Sequence, residues 1–298
     1  MLHHQQPSLI LPPGLSANMN GGIPPLNGFH QRYRGIGSGG GGSDGSLGDT
    51  VASCVWDLDA TISDSYDGSS QTWYNLRATP ADGESQSQYN YYRGASSSSS
   101  TDDPTFTGSA GSSSAYFALD SGDFFTPVSA TIPTFVKNLH KTTGGSTATI
   151  ILCMQTGASG YFWGTGPSSP GSVHGIYFYK NGSTGLLVDQ FGTSAYGRTS
   201  TTITAHSTPV LLAVAFDYTN DIFKVASNAR TFSTTTIVKV TSTTDATNTM
   251  KIGANGASAK TGGSFRLYGC YGFNTVLTNA ELDDLVDVLN TRHGRTYA

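Results

Sequence analysis

Two aromatic-rich stretches carry the residue types best suited to holding a ligand. In "SGYFWGTG" Tyr161, Phe162 and Trp163 stand together between glycines, and in "QYNYYRG" Tyr91, Tyr92 and Arg93 follow a polar run. Aromatic rings offer large, rigid faces with a polar handle, and a few placed polar groups then fix a ligand's orientation. Sugars suit such a surface, because pyranose faces stack on rings while their hydroxyls need donors and acceptors. Both stretches read as loops, and these six residues are the carbohydrate-binding candidates. The competing reading is rings that only pack their own loops.

Chemistry beyond binding finds little support. Glycoside hydrolysis normally uses two carboxylates about 5–9.5 Å apart. The chain has only two glutamates, Glu84 in a polar loop and Glu281 at a helix start. Asp57 and Asp59 alternate on one strand, and Asp217 and Asp221 flank a turn, where aspartate has its own backbone role. The seven histidines, at 3, 4, 30, 140, 174, 206 and 293, belong to no G-x-S-x-G or H-E-x-x-H motif. Cys54, Cys153 and Cys270 are far apart with no C-x-x-C, and read as reduced, packed thiols. A Cys54–Cys270 bridge requires the first and last strands to be neighbours, and spacing alone leaves that open. The residues point to no enzyme.

Composition narrows the partners. Of the 298 residues 12% are charged, the net charge is −4, and no Lys/Arg cluster appears, which argues against nucleic acid. No apolar run approaches the length that spans a bilayer, and "MLHHQQPSLILPP" lacks the basic start and long apolar core of a secretory signal. Residues 1–47 differ from the rest, with Pro at 7, 12, 13, 24 and 25 and "GIGSGGGGSDGS" at 35–46. Such a stretch cannot bury a core of its own. Yet Leu9, Ile10, Leu11, Ile23, Leu26, Phe29 and Tyr33 are spread along it, which suits an arm that anchors along a partner.

From residue 48 short strands alternate with turns: 51–59, 116–120, 147–154, 175–180, 185–191, 209–217, 221–227, 235–242, 248–253 and 264–273. In the last of these Phe265, Leu267, Tyr271 and Phe273 are expected to share one face. Many short strands with regular turns predict an all-β, two-sheet antiparallel jelly-roll sandwich over 48–298. One helix closes it at 277–294. Thr278 and Glu281 form a capping box, Leu282, Leu285, Val286 and Leu289 form an apolar stripe, and Gly294 suits the left-handed C-terminal cap. Arg292 and His293 suit the negative end of its dipole.

Four stretches in this order resemble the concanavalin A-like lectin/glucanase superfamily, in particular laminin-G-like jelly rolls of bacterial and phage proteins. They are "WDLDATISDSYDGSSQTWYNL" (56–76), "PTFTGSAGSSSAYFALDSGDFF" (104–125), "PVLLAVAFDYTNDIFKVASNAR" (209–230) and "MKIGANG" through "LVDVLNTRHG" (250–294). The resemblance covers nearly all of 48–298 and is more specific for fold than for function. The Glu-x-Asp-x-Glu motif of the glucanase branch is missing. Relatives that hold calcium in Asp-bearing loops make Asp120, Asp123, Asp217 and Asp221 the metal candidates, although no EF-hand spacing supports them. No other cofactor is implied. The expected function is a non-enzymatic bacteriophage virion protein, a capsid decoration or a tail- or fibre-associated protein. Its arm would dock on major capsid or tail proteins at the outer surface, as a homo-oligomer such as a trimer, and its jelly roll would meet host glycans. The alternative is a soluble or cell-surface lectin module, and the third reading is an atypical glycan hydrolase.

Overall fold

The computed structural model describes residues 46–156, 159–167, 174–182, 185–192, 195–203, 207–256 and 265–298. The chain divides into two units at Gly41 and Gly42, and all that follows concerns the second. The anchoring candidates Leu9, Ile10, Leu11, Ile23, Leu26, Phe29 and Tyr33 lie outside the described residues.

The strands are β1 (Cys54–Asp59), β2 (Thr72–Trp73), β3 (Tyr91–Arg93), β4 (Thr105–Thr107), β5 (Tyr116–Leu119), β6 (Phe125–Pro127), β7 (Ala148–Thr156), β8 (Gly160–Gly164), β9 (Gly175–Asn181), β10 (Gly185–Phe191), β11 (Tyr196–Thr202), β12 (Val210–Asp217), β13 (Ile222–Ser227), β14 (Ser233–Thr234), β15 (Lys251–Ile252) and β16 (Phe265–Phe273). They form two antiparallel sheets. Sheet A runs β14-β13-β12-β7-β16-β5-β4, with β1 beside β5 along the long β16, and sheet B runs β11-β10-β9-β8-β15-β6-β3-β2. A one-turn helix α1 (Thr134–Lys137), absent from the sequence expectation, packs Phe135 and Val136 into the core between the sheets.

That core is aromatic. Trp56 stacks on Tyr89 and Trp163, while Trp73, Phe117 and Phe125 form a second group with centroids 4.9–5.0 Å apart. Each such pair contributes about 0.5–1.5 kcal/mol beyond the area it buries. Gly272 makes the stack possible, because a Cβ there would lie inside the Trp56 indole.

A second, smaller core lies on the outer side of sheet A, under helix α2 (Asn279–His293). The Thr278 hydroxyl accepts from the Glu281 amide at 3.2 Å, and the Glu281 carboxylate accepts from the Thr278 amide at 2.8 Å. Gly294 takes φ 55°, and Arg295 N–H reaches the Asn290 carbonyl at 3.1 Å, which closes the helix as a Schellman turn. Leu282, Leu285, Val286 and Leu289 are fully buried against Leu211, Tyr268, Tyr271 and Phe273. Full burial contributes about 1.5–3 kcal/mol for each such side chain.

Two sequence expectations fail locally. The single alternation expected along 264–273 is broken by a bulge at Tyr268, since Leu267 pairs with Met154 and Gly269 with Cys153. One extra residue moves all later side chains to the other face. Phe265, Leu267 and Cys270 therefore enter the inner core, while Tyr271 and Phe273 face α2. The expected strand at 235–242 is irregular beyond Thr234. It crosses the inner edge of sheet B, where side chains take its backbone groups: Gln190 bonds Val240 N–H and C=O, and Thr199 bonds Val238 N–H. Strands β1 and β16 are neighbours, with Cys54 opposite Phe273 and Cys270 opposite Leu58, yet all three cysteines are free and buried.

Candidate functional site

The registers of sheet B line up one transverse row on its outer face. Arg198 lies opposite Asp189, Asp189 opposite Tyr177, and Tyr177 opposite Gly164. The row continues through Lys251, which pairs with Gly164, and reaches Tyr92 and Thr72 by way of Thr126. Inward-facing Ile176, Phe178 and Val188 alternate with these residues and fill the core. The period of two therefore places the polar and aromatic residues outside.

Aromatic side chains gather at one end of this face. Tyr161 lies edge-on to Tyr177 at 4.9 Å and to Tyr179 at 5.2 Å between centroids. Tyr177 tilts against Phe191 at 5.2 Å, and Phe191 against Tyr196 at 5.8 Å. Tyr196 is 43% exposed, and the Arg198 guanidinium lies 5.1 Å above its ring. Gly164 gives Tyr177 its place, because a Cβ at that position would lie 2.5 Å from the Tyr177 Cβ.

The polar part of the face is pre-set. Arg198 donates twice to the Asp189 carboxylate, at 2.7 Å each, and the Tyr177 hydroxyl donates to the same carboxylate at 2.5 Å. Such a bidentate pair is rigid and short. Asp189 is buried while Arg198 stays 44% exposed, so the guanidinium presents its free edge to solvent. Burial and the bond to Asp189 push the Tyr177 hydroxyl far above its ordinary range, so it remains a donor at physiological pH.

The six sequence candidates divide among different places. Tyr161, Phe162 and Trp163 form strand β8, a correction to the loop reading, and a register shift between Tyr161 and Trp163 turns Phe162 and Trp163 into the core. Only Tyr161 of the three faces outward. Tyr91, Tyr92 and Arg93 likewise form strand β3 and not a loop. Tyr91 is buried, whereas Tyr92 lies partly exposed on the outer row. Arg93 bonds the Pro104 carbonyl and the Tyr66 hydroxyl, both at 2.9 Å, and so closes the rim of the sandwich. Tyr177, Tyr179, Asp189, Tyr196, Arg198 and Lys251 were not singled out from sequence. The i, i+2 tyrosines of "GIYFYK" carried the available signal, because that strand alternates Ile and Phe with Tyr.

The carboxylates suited by type to metal or catalysis are engaged in backbone hydrogen bonds or ion pairs. Asp123 accepts from Asp120 N–H, and Asp217 accepts from Thr219 N–H, Asn220 N–H and the Thr147 hydroxyl. Asp221 takes φ 57° in the hairpin turn and pairs with Lys239. Among the described residues no group of three or more His, Cys, Asp or Glu is placed to hold a metal ion. Glu84 accepts from Thr134 N–H, and Glu281 is committed to its cap. Asp57 and Asp59 are fully buried and face Arg292 at 3.0 and 3.3 Å. Arg292 and His293 thus turn inward from the helix end, where a role at the dipole alone was expected. His293 meets Asp59, Tyr271 and Tyr297 at 3.3, 3.2 and 2.7 Å. Burial raises the Asp57 carboxyl, whereas for Asp59 the burial effect is outweighed by His293 and Arg292, which hold it well below the carboxylate range.

Among the described residues no helix is long and apolar enough to cross a membrane. No protein-family model matches the chain, and no curated protein matches it. Solved structures do. A structure of botulinum neurotoxin type C matches with TM-score 0.51 and 12% identity, over 82% of this chain and 53% of that one. The receptor-binding domain of botulinum neurotoxin type G matches with TM-score 0.50 and 8% identity, over 78% of this chain and 50% of that one. The chain spans about half the length of these structures. The likeness is one of fold: a two-sheet β-sandwich shared with receptor-binding domains.

Proposed function

We propose that the sandwich is a non-catalytic glycan-binding domain and that the outer face of sheet B is its binding surface. One observation carries the reading: Tyr161, Tyr177, Tyr179 and Tyr196 are gathered on one face beside a fixed Asp189–Arg198 pair. Rings held by their neighbours contact a ligand at little entropic cost, and the pair supplies oriented donors. The solved neighbours agree in kind. The type C neurotoxin's passage into cells is described as dependent on interaction with two ganglioside molecules. The test is a glycan array probed with the wild-type chain and with Tyr161→Ala. Binding that the variant loses supports the reading, and binding that the variant keeps in full removes this face from it.

At a finer level we infer a structural protein of a bacteriophage particle, either a capsid decoration or a tail- or fibre-associated protein. Residues 1–46 are its anchoring arm on capsid or tail proteins, and the sandwich is displayed outward as a homo-oligomer, a trimer in the simplest symmetric case. The support is the Pro- and Gly-rich arm with apolar residues spread along it, together with the jelly-roll resemblance. Co-sedimentation with purified particles tests this, using the full chain and a chain beginning at Leu47. The full chain alone should travel with particles. If neither associates, the virion role falls and a free lectin module remains.

A further inference from the structure

We infer that the outer face of sheet B takes a linear glycan laid across its strands, and that it reads a stretch of chain in preference to a terminal sugar. This deepens the glycan-binding reading and rests on it. The argument comes from register. Arg198, Asp189, Tyr177, Gly164, Lys251, Thr126, Tyr92 and Thr72 follow one another across all eight strands. Neighbouring strands lie about 4.8 Å apart, so the six intervals from β11 to β3 put roughly 29 Å between the row positions of Arg198 and Tyr92.

The row has separated aromatic stations with little between them. At one end Tyr161, Tyr177, Tyr179 and Tyr196 form the cluster described above. At the other, Tyr92 is partly exposed beside Thr126 and Thr72, and the Lys251 amine lies 4.9 Å above the Phe124 ring. Gly164 lies between them, where any side chain would collide with Tyr177. Gly164 is itself buried, so a chain passing from one station to the other would run over its row neighbours Tyr177 and Lys251. One sugar ring engages one station. A chain engages both, and the second contact is made at the high effective concentration set by the first.

The experiment is an array of bacterial capsular, teichoic-acid and lipopolysaccharide O-chain polymers, each printed beside its own size-fractionated fragments. It is probed with the full chain and with Tyr92→Ala, Tyr161→Ala and Tyr116→Ala, the last on the outer side of sheet A. Bound polymers should outbind their mono- and disaccharide fragments about tenfold or more. Tyr92→Ala should erase that gain and leave short-fragment binding unchanged. Tyr161→Ala should weaken both, and Tyr116→Ala neither. If short fragments bind as tightly as polymers, or Tyr92→Ala leaves the length gain intact, the chain-reading inference fails while the glycan-binding reading stands. If no member of the array binds, both fail together.

Discussion

The same three residue types meet on both outer faces of the sandwich, to opposite ends. Under α2, Asp57 and Asp59 face Arg292 and Tyr271, and Arg292 is only 5% exposed. On sheet B, Asp189 faces Arg198 and Tyr177, but Arg198 is 44% exposed. A helix covers the first constellation, and solvent reaches the arginine of the second. The covered one joins the first strand, the last strand and the C-terminal helix, and Leu47 N–H also donates to Asp57. The open one ties down only β9, β10 and β11. Burial makes an ion pair a structural fixture whose loss leaves uncompensated charge, whereas exposure leaves one with a free edge for a ligand.

That comparison is most easily broken at the two arginines. Arg292→Met leaves two buried carboxylates without their cation and should cost about 3–5 kcal/mol in urea denaturation. Arg198→Met should cost less, because water reaches the arginine side of this pair and the Tyr177 hydroxyl still donates to Asp189. Equal costs would erase the distinction between the faces. A buried group away from both faces sets the scale for burial alone. His140 is fully buried, and burial lowers its pKa to about 4. Its folded value lies below the unfolded value of about 6.5, so its stabilising contribution is complete above pH 6.5 and is lost as pH falls toward 4. The loss amounts to about 3 kcal/mol across that window. The same denaturation series in a His140→Asn variant should show a flatter slope there.

Smaller effects separate stability from binding. Thr278→Ala removes the helix cap and should lower stability by about 1 kcal/mol while leaving glycan affinity unchanged. Tyr196→Ala should do the reverse. Its stability change stays within about 0.5 kcal/mol, as for other surface substitutions, while array binding drops. A Thr278→Ala chain with impaired binding would mean that the α2 side takes part in recognition after all.

The sequence shows the α2 side well and the sheet B side poorly, for a physical reason. A helix announces itself locally: Thr278, Glu281, the Leu282–Leu289 stripe and Gly294 all lie within one short segment. The binding face is assembled from β8, β9, β10 and β11, and its row exists only once their registers are set. No single segment shows that Asp189, Tyr177 and Arg198 will meet. Adjacent aromatics in "GYFWG" looked like a loop display because flanking glycines masked a short strand with a register shift, which buries two rings of three. Tyr271 and Phe273 change face for a similar reason, since the bulge at Tyr268 leaves no mark on the alternation of residue types. The irregular segment at 235–242 has a strand's sequence, but its partners are the side chains of Gln190 and Thr199.

The most direct test of the central claim is tyrosine footprinting by hydroxyl radicals and mass spectrometry, with and without the polymer that binds best on the array. Tyr161, Tyr179 and Tyr196 should be protected by the ligand, while Tyr116 on the outer side of sheet A should label equally in both states. Protection of Tyr116, or unchanged labelling of the sheet B tyrosines under saturating ligand, would contradict the account.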